Sequence, residues 1–156
     1  MRSARPQTLF LLLAGLLLVT GFVPAQAADP SGIAVIAARG ATLPELDRRD
    51  LALIFKRKKR FWPDGRRVAP VNLPAGQNLR RAFSVSVFGH PPEELDDYWR
   101  DQYFHGELPP FVASSEEAVI RFVASTPGAV GYVSACLADK RVAVLMVIDE
   151  GLPCSR

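Results

Sequence analysis

The run Ile33-Ala34-Val35-Ile36-Ala37-Ala38, closed by Arg39-Gly40, decides the fold class. Six consecutive apolar residues with no polar alternation fit a strand buried on both faces, the kind found where helices cover a sheet from two sides. Helix signals follow directly. Asp47 predicts an N-cap with Asp50 at the third helical position, and Leu46 and Leu51 stand where a hydrophobic staple joins them, giving a helix over residues 48–56. Its apolar positions Leu51, Ile54 and Phe55 share one face, and the cations of residues 56–60 fall at the negative end of its dipole. A Pro63-Asp64-Gly65 turn closes the unit.

Residues 68–72 read as a second strand, whose Pro70 lacks an amide donor and so predicts an edge position or a strand terminus. Residues 77–88 place Leu79, Ala82, Phe83, Val87 and Phe88 at helical spacing before the stop signal Gly89. A third helix over residues 92–104 starts with Pro92 and two acids, carries Leu95, Tyr98, Trp99, Tyr103 and Phe104, and ends before Gly106. Ser114 and Glu117 predict a capping box for a fourth helix reaching Ser125. Residues 129–133 and 142–148 are then strands around the polar Asp139-Lys140-Arg141 turn. The order β-α-β-α-α-α-β-β predicts an α/β fold, a small mixed and partly parallel sheet flanked by helices.

The N-terminus reads as a secretory leader. Arg2 and Arg5 precede an apolar stretch over residues 9–23, and Ala25-Gln26-Ala27 offers a small-residue cleavage site, so residues 1–27 are expected to be a signal peptide and residues 28–156 one domain. The implied location is the periplasm, with no membrane span after cleavage, since later apolar runs are only strand-sized. The leader holds two of the 19 Lys and Arg residues and none of the 16 acids, so the exported part is nearly neutral and nucleic acid is not an expected partner. Cys136 and Cys154 are the only cysteines. An oxidising compartment favours a disulfide between them; two free thiols are the alternative, because sequence does not set their separation.

Five pieces in one order suggest a family: Leu53-Ile54-Phe55, the Trp62-Pro63-Asp64-Gly65 turn, Tyr98-Trp99, Phe104-His105-Gly106, and Pro127-Gly128-Ala129-Val130-Gly131-Tyr132-Val133. Together they resemble the phosphate-type branch of periplasmic substrate-binding proteins, in particular its short single-lobe members. The resemblance implies one half of a two-lobed clamp associated with ABC-type transport, binding without turnover. It also implies an Arg, an Asp and a Ser-Gly-Thr turn after the second strand, where backbone N–H groups and hydroxyls at a helix start hold an oxyanion. Here the stretch reads Asn72-Leu73-Pro74-Ala75-Gly76-Gln77-Asn78-Leu79, without that cation, acid or hydroxyls. The candidate ligand set is therefore Asn72, Gln77, Asn78, Arg80 and Arg81, around a helix start that is otherwise an ordinary one led by Gly76. A small oxyanion is the expected ligand, and an envelope protein, transporter or sensor the expected partner. An interaction or sensory accessory protein without a small ligand is the rival reading.

The basic run 56–60 departs from the family's usual Gly after the Ile-Phe pair. It reads either as a solvated helix end or as a patch for an anionic partner. Catalytic patterns are missing: His90 and His105 are the only histidines, and no nucleophile-elbow, zinc-protease or phosphate-loop motif occurs, so neither enzyme activity nor a cofactor is expected. Asp97, Asp101 and His105 repeat at i, i+4, i+8 and could line one helix face with metal ligands, although solvated helix charges explain them equally. The expected core includes Leu53, Ile54, Phe55, Trp62, Trp99, Phe104 and Tyr132.

Overall fold

The computed structural model describes residues 31–41, 44–149 and 152–153; the expected leader and Cys154 lie outside the described residues. Strand β1 (Ile33–Ala38) is buried along its length, with only Ala38 partly exposed. Its burial follows from its place between β4 (Ala129–Ser134) and β5 (Val142–Ile148), antiparallel to both. β2 (Ala69–Asn72) and the two-residue β3 (Phe111–Val112) complete a sheet of order β3-β2-β4-β1-β5, in which β2 runs parallel to β3 and β4. Among the described residues four α-helices flank it: α1 (Arg48–Phe55), α2 (Asn78–Phe88), α3 (Asp96–Phe104) and α4 (Glu116–Ser125). The α/β class and the mixed sheet are as the element order predicts.

Pro70 stands near the N-terminal end of β2, one of its two expected places: β3 pairs only with Val71 and Asn72, so Pro70 meets a partner, Val130, on the β4 side alone. Two other local expectations change. The Asp139–Arg141 segment does not close a hairpin, since β4 and β5 both pair with β1 and not with each other. The fourth helix is capped one residue later than expected: Ser115 Oγ accepts the Ala118 N–H at 3.2 Å, and Glu117 instead takes Arg141 Nη1 at 2.7 Å.

The α1 capping box forms as read. Asp50 N–H donates to Asp47 Oδ1 at 2.7 Å and Asp47 N–H to Asp50 Oδ2 at 3.4 Å. The helix stops at Phe55, so the basic run lies beyond it rather than in its last turn. Arg57, within the basic run, adopts a left-handed conformation with φ 60°. Lys59 turns back to Asp50 at 2.8 Å, and this hydrogen bond is the main reason the Asp50 carboxyl titrates below its ordinary range.

Phe55, Phe83 and Tyr132 form the aromatic centre of the core. Phe83 and Tyr132 stack with centroids 3.8 Å apart, and Phe55 lies 4.7 Å from Phe83 and 5.8 Å from Tyr132. Ile54 and Trp62 are buried with them, whereas Leu53 is 39% and Phe104 81% exposed and Trp99 is half-buried. The expected core was thus too wide at α3. That helix buries no residue and packs chiefly on the 3-10 turn Pro92–Leu95 before it, so its aromatic residues stay at the periphery.

Candidate functional site

β2 and β3 run in the same direction, and each leads through a short connection into a helix. The starts of α2 and α4 therefore meet at one edge of the sheet, beside Ser134 at the end of β4. Between them lies a cleft of ≈ 420 Å³ whose lining includes Gly32, Gln77, Asn78, Leu79, Glu116 and Ser134. Gln77, the N-cap of α2, makes no side-chain cap; its amide donates to Ser114 O at 3.3 Å and ties the two helix starts together. The first-turn amides of α2 are thus left uncapped by any side chain, in the arrangement that favours an anion.

Glu116 works against that preference. Its Oε2 accepts the Ser134 N–H at 2.5 Å, so a carboxylate of the protein stands in the cleft and uses one of its donors. Ser134, only 6% exposed, contributes the wall beside it. Glu116 and Ser134 escaped the sequence reading for different reasons. Glu116 reads as the middle of a capping box, and Ser134 reaches the site only through the register that sets it opposite Ile33.

The candidate ligand residues divide into three places. Gln77 and Asn78 line the cleft. Asn72 and Arg80 enter a buried network: Arg80 Nη1 donates to Asn72 Oδ1 at 2.8 Å, Tyr132 Oη donates to the same oxygen at 3.2 Å, and Leu73 N–H donates to Tyr132 Oη at 3.3 Å. Burial raises the Tyr132 phenol above its ordinary pKa, and the Arg80 cation only partly offsets this. Arg81 points outward and pairs with Glu93 at 2.8 Å on the exposed surface.

Much of the basic run is engaged within the fold. Lys59 pairs with Asp50 and Arg60 with Glu107, while Lys56 Nζ lies 5.3 Å from the Phe88 ring and 5.5 Å from the Tyr98 ring. On α3, Asp97 pairs with Arg100 at 2.6 Å and His105 Nδ1 lies 2.8 Å from the Asp101 backbone oxygen; no group of three metal-ligating side chains occurs among the described residues. Cys136 sits in the 3-10 turn Ala135–Leu137 after β4. Gly32 brings the far end of the chain toward that turn: its N–H donates to Leu152 O at 2.9 Å, and its carbonyl accepts the Ala135 N–H at 2.9 Å.

The mixed sheet, the helix starts gathered at one end of it and the cleft between them are consistent with the fold of one lobe of a periplasmic binding protein. Solved structures of phosphate-transport receptors share this fold. An ABC-type phosphate transport receptor from Vibrio cholerae superposes with a TM-score of 0.57 at 19% identity, covering 73% of this chain and 45% of its own. A protein from Clostridium perfringens assigned as the substrate-binding protein of a phosphate ABC transporter, solved with phosphate bound, gives 0.59 at 21% identity, covering 73% of this chain and 44% of its own. The chain therefore spans less than half the length of these proteins. No protein-family model and no curated protein matches it. Among the described residues no helix is long and apolar enough to cross a membrane.

Proposed function

We propose that this chain is a non-catalytic binding module of the substrate-binding-protein type, acting in the periplasm after removal of residues 1–27, in association with ABC-type transport. Its ligand is a small oxyanion held weakly at the start of α2. The observation that carries this reading is the cleft itself, with uncapped first-turn amides, the side chains of Gln77 and Asn78, and the buried Ser134 around one space. The likeness to phosphate-transport receptors supports the ligand class.

Affinity should be low for two physical reasons. Each missing charge-assisted hydrogen bond removes about 1.5–3 kcal/mol, so the loss of an Arg and of the hydroxyls lowers binding by several powers of ten. Glu116 also adds a negative charge where the ligand's charge would rest. Calorimetry at low ionic strength with phosphate, sulfate and a carboxylate is expected to give dissociation constants of about 1 mM or weaker, rising with salt and weakened further in Asn78→Ala. Micromolar phosphate binding would show that other side chains replace the missing set. No binding of any anion would favour the second reading, an envelope interaction or sensory protein, to which exposed apolar side chains such as Phe61, Phe104 and Leu108 are suited.

The same location implies the Cys136–Cys154 bridge. The Gly32 hydrogen bonds that draw Leu152 toward Ala135 support it. Intact mass of protein recovered from the periplasm, measured without reductant, should fall short of the dithiol mass by about two hydrogens. A dithiol mass would remove the bridge.

A further inference from the structure

Arg80 is a cation placed where a counter-ion is normally needed. It is 7% exposed, and a buried guanidinium is ordinarily paired with a carboxylate. Here Nη1 donates to the neutral Asn72 side chain, and none of the ion pairs among the described residues includes Arg80. Tyr132 also interacts with it, but as a phenol that burial keeps neutral. Beside Arg80 lies a second cavity of ≈ 130 Å³. Arg80 and Asn72 form its polar part, Leu73, Pro92, Trp99 and Pro110 contribute apolar walls, and the exposed Asp96 also borders it. It shares no lining residue with the cleft at the start of α2.

We propose that this cavity binds the carboxylate of a small organic acid, with Arg80 as the counter-ion. A planar guanidinium presents paired N–H groups that match a planar carboxylate. Leu73, Trp99 and the prolines suit a short alkyl group and give nothing to the hydration shell of a tetrahedral anion. Asp96 strengthens the choice, since its charge opposes a dianion about twice as strongly as a monoanion at the same distance. The ligand class is thus a monocarboxylate of a few carbons, and the site is separate from the proposed oxyanion cleft.

Trp99 borders the cavity and supplies an intrinsic reporter, whereas Trp62 is buried in the core. The test titrates the purified protein with sodium propionate at constant ionic strength, with chloride and inorganic phosphate in parallel, following tryptophan fluorescence and Tm. Propionate is expected to give a saturable change in the millimolar range that chloride does not, and Trp99→Phe should lose the optical signal while keeping the Tm rise. Asp96→Asn should tighten propionate binding by roughly 3- to 10-fold by removing the opposing charge, and Arg80→Met should weaken it by roughly 30-fold or more. If Arg80→Met fails to fold, Asp96→Asn decides alone. The proposal is overturned by no saturable response to propionate, by phosphate binding more tightly than propionate at this tryptophan, by an unchanged affinity in folded Arg80→Met, or by no tightening in Asp96→Asn.

Discussion

Gly128→Ala is expected to abolish the native fold or to cost at least about 4 kcal/mol in urea or thermal unfolding. Two costs coincide at this residue. Its φ of 81° is left-handed, a conformation that costs an L side chain about 1–2 kcal/mol. A Cβ there would also overlap the backbone oxygen of Arg67. That oxygen cannot retreat easily, because Gly128 O accepts both the Trp62 indole N–H at 2.9 Å and the Ala69 N–H at 3.0 Å, locking the two segments together. Gly89→Ala provides the control. Gly89 has φ 83° but no atom within 4 Å of its would-be Cβ, so only the conformational cost, about 1–2 kcal/mol, should appear. Equal losses for the two variants would show that the turn can move and that the overlap is relieved.

Phe55→Ala should cost about 3–5 kcal/mol, a large part of the stability of a chain this size. Phe55 is 1% exposed and packs edge-on against Phe83, which stacks on Tyr132, so its removal opens a cavity where α1, α2 and β4 meet. Its neighbour makes the comparison informative: Leu53 is 39% exposed, and Leu53→Ala should cost about 0.5–1 kcal/mol. Urea melts of both variants check the assignment. A loss below about 1 kcal/mol for Phe55→Ala would mean that α1 does not present this face to the core.

These two residues also show what sequence could and could not reveal. β1, the face of α1 and the starts and stops of the long helices were legible, because each rests on a local pattern such as an apolar run, a capping pair or a terminal glycine. Trp62-Pro63-Asp64-Gly65 and Pro127-Gly128 were recognisable as motifs, but their hydrogen bond to one another spans a separation that no local pattern records. β3 went unseen because two residues after Pro109-Pro110 carry no periodicity; only pairing with β2 makes them a strand. α3 misled in the opposite direction. Its aromatic residues look like core in composition, yet none of its residues is buried. The candidate site was half legible for the same reason: Gln77 and Asn78 follow from the helix start, while Glu116, Ser134 and the burial of Arg80 depend on which strand ends lie side by side.

The position of β1 has a consequence for how the molecule is made. Among the described strands, the first in sequence lies between the last two, with Ile33 opposite both Ser134 and Ile148. Pairings separated by on the order of 100 residues carry a large loop-closure entropy and slow the approach to the native state. Until the C-terminal third of the chain is available, the apolar hexapeptide Ile33–Ala38 has no edge to pair with and is open to chaperones or to self-association. The centre of this sheet therefore closes late, only once β4 and β5 are both in place on either side of β1.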